Sequence, residues 1–170
     1  FKIKSIRDGK SKLVEFAKGE ITSEEDIQDN SGRKGTSVSF VPDKEMFGNF
    51  RFIDDFVEKM LWNYCYLNTG LTITYNGKKF YSDKGLYDLL DQNTEAEILY
   101  PIIHLKAEDI EVAITHCKNQ YSEQYYSFVN GQHTVQGGTH QGAFRQAVVK
   151  VIREFYNKSY EATDIRQAIN

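Results

Sequence analysis

The sequence predicts an α+β fold, and three observations lead to this class. Two stretches alternate apolar and polar residues around Asp8-Gly9 and Asn76-Gly77, which is the pattern of β-hairpins. Two longer stretches, 52–66 and the one after Thr139, repeat apolar residues at spacings of three and four, as amphipathic helices do. Between residues 98 and 129, further apolar stretches joined by short polar turns are expected to be antiparallel strands.

The beginning of the chain is predicted to be β structure. Residues 1–6 and 12–16 alternate in polarity around a turn, which indicates a hairpin. The segment 20–34 is polar, rich in Asp, Glu, Ser and Gly, and without periodicity, so we expect an exposed loop with at most a short strand at its start. Residues 36–41 form a further strand that ends at Pro42-Asp43.

Two helices and a second hairpin are predicted next. The helix over 52–66 carries one apolar stripe, which consists of Ile53, Phe56, Met60 and Tyr64. The elements that follow are a hairpin with strands 71–75 and 79–81 and a short helix over 84–90. The polar residues 91–94 are the best candidate for a domain boundary, which divides the chain into domains 1–93 and 94–170.

The second domain is predicted to be a sheet with a helix on it. The strands of the antiparallel meander are 98–105, 110–117 and 125–129. The helix after Thr139 is expected to cover one face of this sheet. Residues 160–168 indicate the start of another helix.

The Gly137-Gly138 pair precedes the long helix and allows two interpretations. It can be a tight strand-to-helix turn in which the Thr139 hydroxyl is the N-cap. It can also cradle a phosphate at the start of the helix. Thr139-His140 does not supply the Lys-Ser/Thr pair that a Walker loop needs after its glycine.

Composition limits the classes of function. The net charge of −3 gives no global nucleic-acid footprint, and a basic strip in the first hairpin is expected to be a solvated face. Cys65 and Cys117 are too few for a disulfide framework, so the chain fits a reducing cytoplasm. No apolar stretch is as long as the roughly 20 residues of a membrane span. The chain begins at Phe1 in mid-strand without a methionine, which suggests a fragment.

The four histidines show no metal-ligand spacing, so no metal site is predicted. His104 and His116 are expected to face each other across neighbouring strands by chance. His140 is expected to be packed or hydrogen-bonded where the helix starts, since no nucleophile lies near it in the sequence. No catalytic residue is predicted in this segment.

A distinctive run of residues connects the last predicted strand to the long helix. It consists of Phe128-Val129-Asn130, Gly137-Gly138-Thr139-His140 and Ala143-Phe144-Arg145. This run resembles the transducer region of the ATPase subunit of bacterial type IIA DNA topoisomerases. The residues between Asn130 and Gly137 are more similar to the B subunit of topoisomerase IV than to the B subunit of gyrase.

The resemblance extends to the first half of the chain, where it implies the C-terminal part of a GHKL-type ATPase sandwich. The second half would then be the start of a transducer similar to ribosomal-protein S5 domain 2. Gly35 to Phe40 is similar to the strand under the adenine, which implies that Thr36 holds a water-bridged base contact and that Val38 lines the pocket. Arg7 matches an arginine at the mouth of that pocket, where coumarin inhibitors bind. From the residues alone, β-propensity is the favoured explanation of Thr36, and Arg7 could equally be a solvated hairpin charge.

The resemblance also implies what the whole protein does. Its family binds ATP and Mg²⁺, dimerises its B subunits when ATP binds, and works with DNA and the A subunit as an A2B2 heterotetramer in the cytoplasm. The family's general base, metal-binding asparagine and ATP lid fall before residue 1, and its γ-phosphate lysine falls after Asn170. The segment alone is therefore expected to lack ATPase activity.

Two alternatives remain open at this point. A gyrase B protein would share the site and differ in supercoiling activity. A non-catalytic α+β module could instead dock a partner through residues 20–34.

Overall fold

The structure, a computed structural model, describes residues 1–29, 31–119 and 122–159. It consists of two compact units, residues 1–52 and 53–170. Strands and helices occur in both halves as predicted, and the fold is α+β. The predicted domain boundary after Asn93 lies at the end of a helix and not at the division between the units, and it stays a prediction about the family's two domains.

The first unit contains a four-stranded antiparallel sheet and one short helix. Its elements are β1 (Lys2–Arg7), β2 (Lys10–Ala17), β3 (Glu20–Gln28), β4 (Gly35–Ser39) and α1 (Lys44–Phe47). The spatial order of the strands is β3-β2-β1-β4. The first hairpin is confirmed: Asp8 and Gly9 have φ values of 51° and 76°, as a tight two-residue hairpin turn requires.

Strand β3 contradicts the loop that was predicted over 20–34. All nine residues of Glu20–Gln28 are in the strand, which pairs with β2. The register of this pairing shifts once, between Glu15 and Phe16 of β2. The acidic composition hid the strand, which forms because its backbone pairs with β2 and at least one of its charges has a partner there. Lys12, for example, forms a salt bridge with Glu24.

The second unit begins with a helix, a hairpin and another helix. These elements are α2 (Asp54–Leu67), β5 (Thr72–Tyr75), β6 (Lys78–Tyr81) and α3 (Leu86–Asn93). Each was predicted within a few residues. Phe80 of β6 is fully buried and meets the Trp62 ring edge-on at a centroid distance of 5.2 Å, while Trp62 also stacks on Tyr66. Cys65 and Leu89 complete this small core.

The predicted apolar stripe of α2 is not its buried face. Its four residues are 45–67% exposed, whereas the next side of the helix, which carries Cys65 and Tyr66, is buried against the hairpin. Helix α2 has apolar residues on two sides. Periodicity alone therefore did not identify which side is buried against the rest of the described chain.

The predicted three-stranded meander is confirmed for its first two strands, which pair antiparallel, whereas the third strand does not join them within the described residues. The structure has two separate hairpins, with strands β7 (Ile103–Lys106) and β8 (Glu111–Ile114), and β9 (Phe128–Val129) and β10 (Gln132–His133). A single bridge between Ile98 and Cys117 extends the first pair. Strand β9 pairs with the residues just after it because Asn130 and Gly131, with φ values of 49° and 78°, close a tight turn.

Helix α4 (Thr139–Tyr156) confirms the long helix that the sequence predicts. Its N-cap is Gly138, not Thr139, and no side chain caps it. No residue of α4 is buried, and the sheet that it was expected to cover is not formed in the described chain. The helix predicted over 160–168 lies outside the described residues. None of the helices in the described ranges is long and apolar enough to cross a membrane.

Candidate functional site

The three predicted site residues lie on one face of the first unit's sheet. Ser5 of β1 pairs with Thr36 of β4, and Ile3 pairs with Val38. Side chains of directly opposite residues point to the same side of a sheet, and residues two apart on a strand share that side. Arg7 therefore lies on the same face as Thr36 and Val38, beyond Ser5 on β1. The structure thus brings Arg7 onto the face of Thr36 and Val38, from which it is 29 and 31 positions away in sequence.

This face presents an apolar end and a polar end. Val38 is 55% exposed and Ile3 is half-buried beside it, so they form an apolar patch. Thr36 and Ser5 form the next row, and both hydroxyls are without a hydrogen-bond partner in the described part of the chain. Arg7 follows at the hairpin end. A flat molecule could rest on the apolar row while the hydroxyls contact its edge.

Sequence reasoning missed Ser5 and Ile3. Neither belongs to a motif, and both are ordinary residues of an alternating strand. The only signal that identifies them is the pairing of β1 with β4, because the register places them opposite Thr36 and Val38.

The charges around this face are mostly paired. Arg7 Nε lies 3.4 Å from Asp8 Oδ2, and Lys34 Nζ lies 3.4 Å from Asp8 Oδ1. Lys12 on β2 is the direct cross-strand partner of Ser5. Its hydrogen bond to Glu24 and the nearby charge of Asp26 raise the pKa of its ammonium group. Arg7 itself is 86% exposed, so it can turn toward a ligand at little cost.

The double glycine favours the tight turn over the phosphate cradle. A Cβ on Gly137 would lie 2.1 Å from Gln141 Oε1, and one on Gly138 would lie 2.8 Å from the His140 ring. Side chains of the first turn of α4 thus occupy the space beside both glycines. Gly137 also has a φ of 72°, a conformation that favours glycine.

His140 is hydrogen-bonded at the start of the helix, as predicted. Its Nε2 lies 2.5 Å from Ser127 Oγ, and Thr134 Oγ1 donates to the same Ser127 oxygen at 2.8 Å. Ser127 is only 9% exposed, and no carboxylate orients His140 among the described residues. This contact ties α4 to the segment before β9 and is not the geometry of an exposed nucleophile with an oriented base.

The other histidines do not form the predicted cross-strand pair. His104 Nε2 binds Glu111 Oε1 at 2.8 Å, while His116 Nδ1 contacts the Tyr100 hydroxyl. Burial acts to raise the pKa of Glu111, but the hydrogen bonds from His104 and Lys106 outweigh it and hold that pKa below its ordinary value. Within the described ranges, no group of three or more His, Cys, Asp or Glu could hold a metal ion.

Comparisons with known proteins give the chain a family context. A family model described as DNA gyrase B matches residues 53–168. The B subunit of DNA topoisomerase 4 from Borreliella burgdorferi is 40% identical over 170 residues, which are 99% of this chain and 28% of that protein. The B subunit of DNA gyrase from Helicobacter pylori is 31% identical over 176 residues, with 94% of this chain and 22% of that protein covered.

One solved structure has a similar fold over almost the whole chain. It is the crystal structure of the 43K ATPase domain of Thermus thermophilus gyrase B in complex with an aminocoumarin, with a TM-score of 0.71 and 25% sequence identity. The similarity covers 94% of this chain and 48% of that one. The chain thus spans about a quarter of the length of the two curated relatives named above and about half of this solved chain.

Proposed function

The chain belongs to the DNA gyrase B family, and we propose that it carries the nucleotide-contacting sheet and the start of the transducer of a type IIA DNA topoisomerase B subunit. The whole subunit uses ATP binding and hydrolysis to close a dimer gate and drive DNA strand passage. The observation that carries this proposal is the shared face of Arg7, Thr36 and Val38 in a chain that matches a gyrase B ATPase domain.

The topoisomerase IV branch is favoured over the gyrase branch. Identity to the topoisomerase 4 protein of Borreliella burgdorferi is 40%, against 31% to the Helicobacter pylori gyrase protein. The loop between Asn130 and Gly137 points the same way. Family membership also argues against an unrelated binding module, and residues 20–28 are a strand of the sheet rather than a docking loop.

ATP is the proposed ligand of the sheet face. A purine needs apolar contact with its ring and polar contact at its edge, and the face offers Val38 beside the unpartnered hydroxyl of Thr36. Arg7 would lie at the mouth of the pocket. When bound, ATP supplies the phosphates whose hydrolysis drives the conformational cycle.

Mg²⁺ does not fit the described residues, because they contain no group of acidic or histidine ligands that could hold it. We therefore assign the metal to a part of the protein outside these residues, and the family resemblance implies the same for the general base. The chain by itself is expected to bind part of the nucleotide and to have no ATPase activity.

The remaining assignments follow from the proposed function. Residues 1–93 are the end of the ATPase domain and 94–170 the beginning of the transducer. The partners are DNA, a second copy of the same subunit that associates when ATP binds, and the A subunit in an A2B2 heterotetramer. The proposed location is the cytoplasm.

The test is ATP hydrolysis by a complete B subunit that contains this chain. Replacing Thr36 by alanine is expected to raise the KM for ATP by about two- to tenfold, since a neutral hydrogen bond contributes about 0.5–1.5 kcal/mol. Ser37→Ala is the control, because Ser37 is the next residue of β4 and points to the opposite face. Hydrolysis that responds equally to both changes would refute the site, and no hydrolysis at all would refute the function.

A second measurement separates the two branches of the family. With its A subunit added, a topoisomerase IV B subunit is expected to relax DNA without introducing negative supercoils. ATP-dependent negative supercoiling would assign the chain to gyrase instead.

A further inference from the structure

We propose that the Ser5 hydroxyl is a second contact of the nucleotide base, acting beside Thr36 on the same face of the sheet. This inference rests on the proposed ATP site and adds to it a residue that no motif contains.

The register places the two hydroxyls side by side. Ser5 is the direct cross-strand partner of Thr36 in the β1–β4 ladder. The ladder is regular from Lys2 to Ile6, so the alternation of faces is not interrupted. The Cβ atoms of such a pair are about 4.5–5.5 Å apart, which is close enough for both hydroxyls to reach one water molecule.

The chemistry of a bridging water makes the second hydroxyl useful. An ordered water in a binding site typically forms about two to four hydrogen bonds. Thr36 supplies one and the base edge another, which leaves at least one position open. A serine hydroxyl can donate or accept, so Ser5 can satisfy the water whichever way the first two groups orient it.

Both hydroxyls are available for this role. Ser5 and Thr36 are exposed, and neither is hydrogen-bonded by a side chain in the part of the chain that the structure describes. Some serines elsewhere in the described chain do have side-chain partners, since Ser82 binds Asp88 and Ser127 binds His140. Lys12, the cross-strand partner of Ser5 on β2, forms a salt bridge with Glu24 of β3.

The opposite face shows why position matters. Ser37 lies next to Thr36 in sequence, yet it pairs with Lys4 and points away from Ser5. Ser5 and Ser37 are therefore matched in residue type and exposure, and differ in which face they occupy.

The experiment uses isothermal titration calorimetry to measure the Kd of adenylyl-imidodiphosphate for the complete B subunit. Ser5→Ala is expected to weaken binding about two- to tenfold, the usual effect of one lost neutral hydrogen bond. Ser5→Thr keeps the hydroxyl and is expected to keep most of the affinity. Ser37→Ala is expected to change nothing, and the Tm of each variant checks that the fold is intact.

The double variant tests whether the two hydroxyls share one water. If they do, Ser5→Ala weakens binding less in a Thr36→Ala background than in the wild type. If Thr36→Ala weakens binding while Ser5→Ala behaves like Ser37→Ala, the inference is overturned and the proposed ATP site stands. If the protein does not bind the nucleotide, or Thr36→Ala has no effect, the proposed site itself fails and the inference fails with it.

Discussion

Replacing Asp88 by alanine is expected to destabilise the unit formed by residues 53–170 by about 2 kcal/mol at neutral pH. Asp88 lies in the first turn of α3. Its Oδ2 accepts hydrogen bonds from the Ser82 hydroxyl at 2.8 Å and from the amides of Asp83 at 3.2 Å and Lys84 at 3.0 Å. The carboxylate therefore holds the loop that leads from β6 into the helix.

Two contributions make up this magnitude. Loss of a side chain that binds free amides at a helix start costs about 0.5–2 kcal/mol. Ser82 is only 2% exposed and also accepts from the Gly85 amide at 3.0 Å, so its O–H would lose its acceptor in a buried place, which costs about 1–3 kcal/mol. Because Asp88 is only partly buried, water replaces some of these interactions, and the total is expected near the lower end.

The effect has a defined pH dependence. Burial acts to raise the pKa of Asp88, but the amides of Lys84 and Asp83 and the Ser82 hydroxyl together outweigh it and hold the pKa below its ordinary value of 3.8. A carboxyl group whose pKa is lower in the folded state adds stability that is complete above the unfolded pKa. That stability is lost as the pH falls through the folded pKa. The difference between wild type and variant should thus be constant from neutral pH to about pH 5 and shrink below about pH 4.

Urea unfolding followed by tryptophan fluorescence measures this difference. The single tryptophan, Trp62, stacks on Tyr66 in the same unit and reports on its packing. Asp91→Ala is the control, since Asp91 is exposed on the same helix and makes no hydrogen bond or ion pair within the described residues. An equal loss for both variants, or a loss for Asp88→Ala that persists unchanged at about pH 3, would refute the reasoning.

Three further substitutions test packing and backbone conformation. Phe80→Ala is expected to lower the free energy of unfolding by about 3–5 kcal/mol, because loss of the fully buried ring would leave a cavity beside Trp62. Urea unfolding measures this loss, with the exposed Tyr81→Ala as the control. Similar losses for the two variants would contradict the prediction. Gly77→Ala is expected to destabilise by about 1 kcal/mol, since Gly77 has a φ of 81°. Gly142→Ala is expected to stabilise the protein by up to about 1 kcal/mol, since Gly142 lies inside α4 with open space around it. Thermal unfolding followed by circular dichroism should show a lower Tm for Gly77→Ala and a higher Tm for Gly142→Ala.

Local signals predicted the elements that depend on neighbouring residues. The turns at Asp8-Gly9 and Asn76-Gly77 identified two hairpins, because few other residue pairs accept positive φ at both positions. Helices α2 and α4 followed from apolar residues at helical spacing. These elements are specified within a short window of sequence.

Elements that depend on distant partners were missed or misplaced. Strand β3 looks like a polar loop by composition, yet pairing with β2 and a salt bridge between Lys12 and Glu24 make it a strand. Strand β9 was assigned to a wider sheet, but the adjacent turn at Asn130-Gly131 lets it pair locally at a lower loop-closure cost.

The candidate site shows the same division. A motif in one short stretch pointed to Thr36 and Val38, and a hairpin match pointed to Arg7. Ser5 carries no motif and becomes a candidate only when the ladder places it opposite Thr36, 31 residues away in sequence. A slip of one residue in the β1–β4 pairing would move Ser5 and its whole row to the other face of the sheet. If the pairing were shifted by one, Ser5 would lie on the face of Ser37 and away from Thr36. Ser5→Ala would then behave like Ser37→Ala, so the comparison of the two variants tests the register as well as the ligand contact.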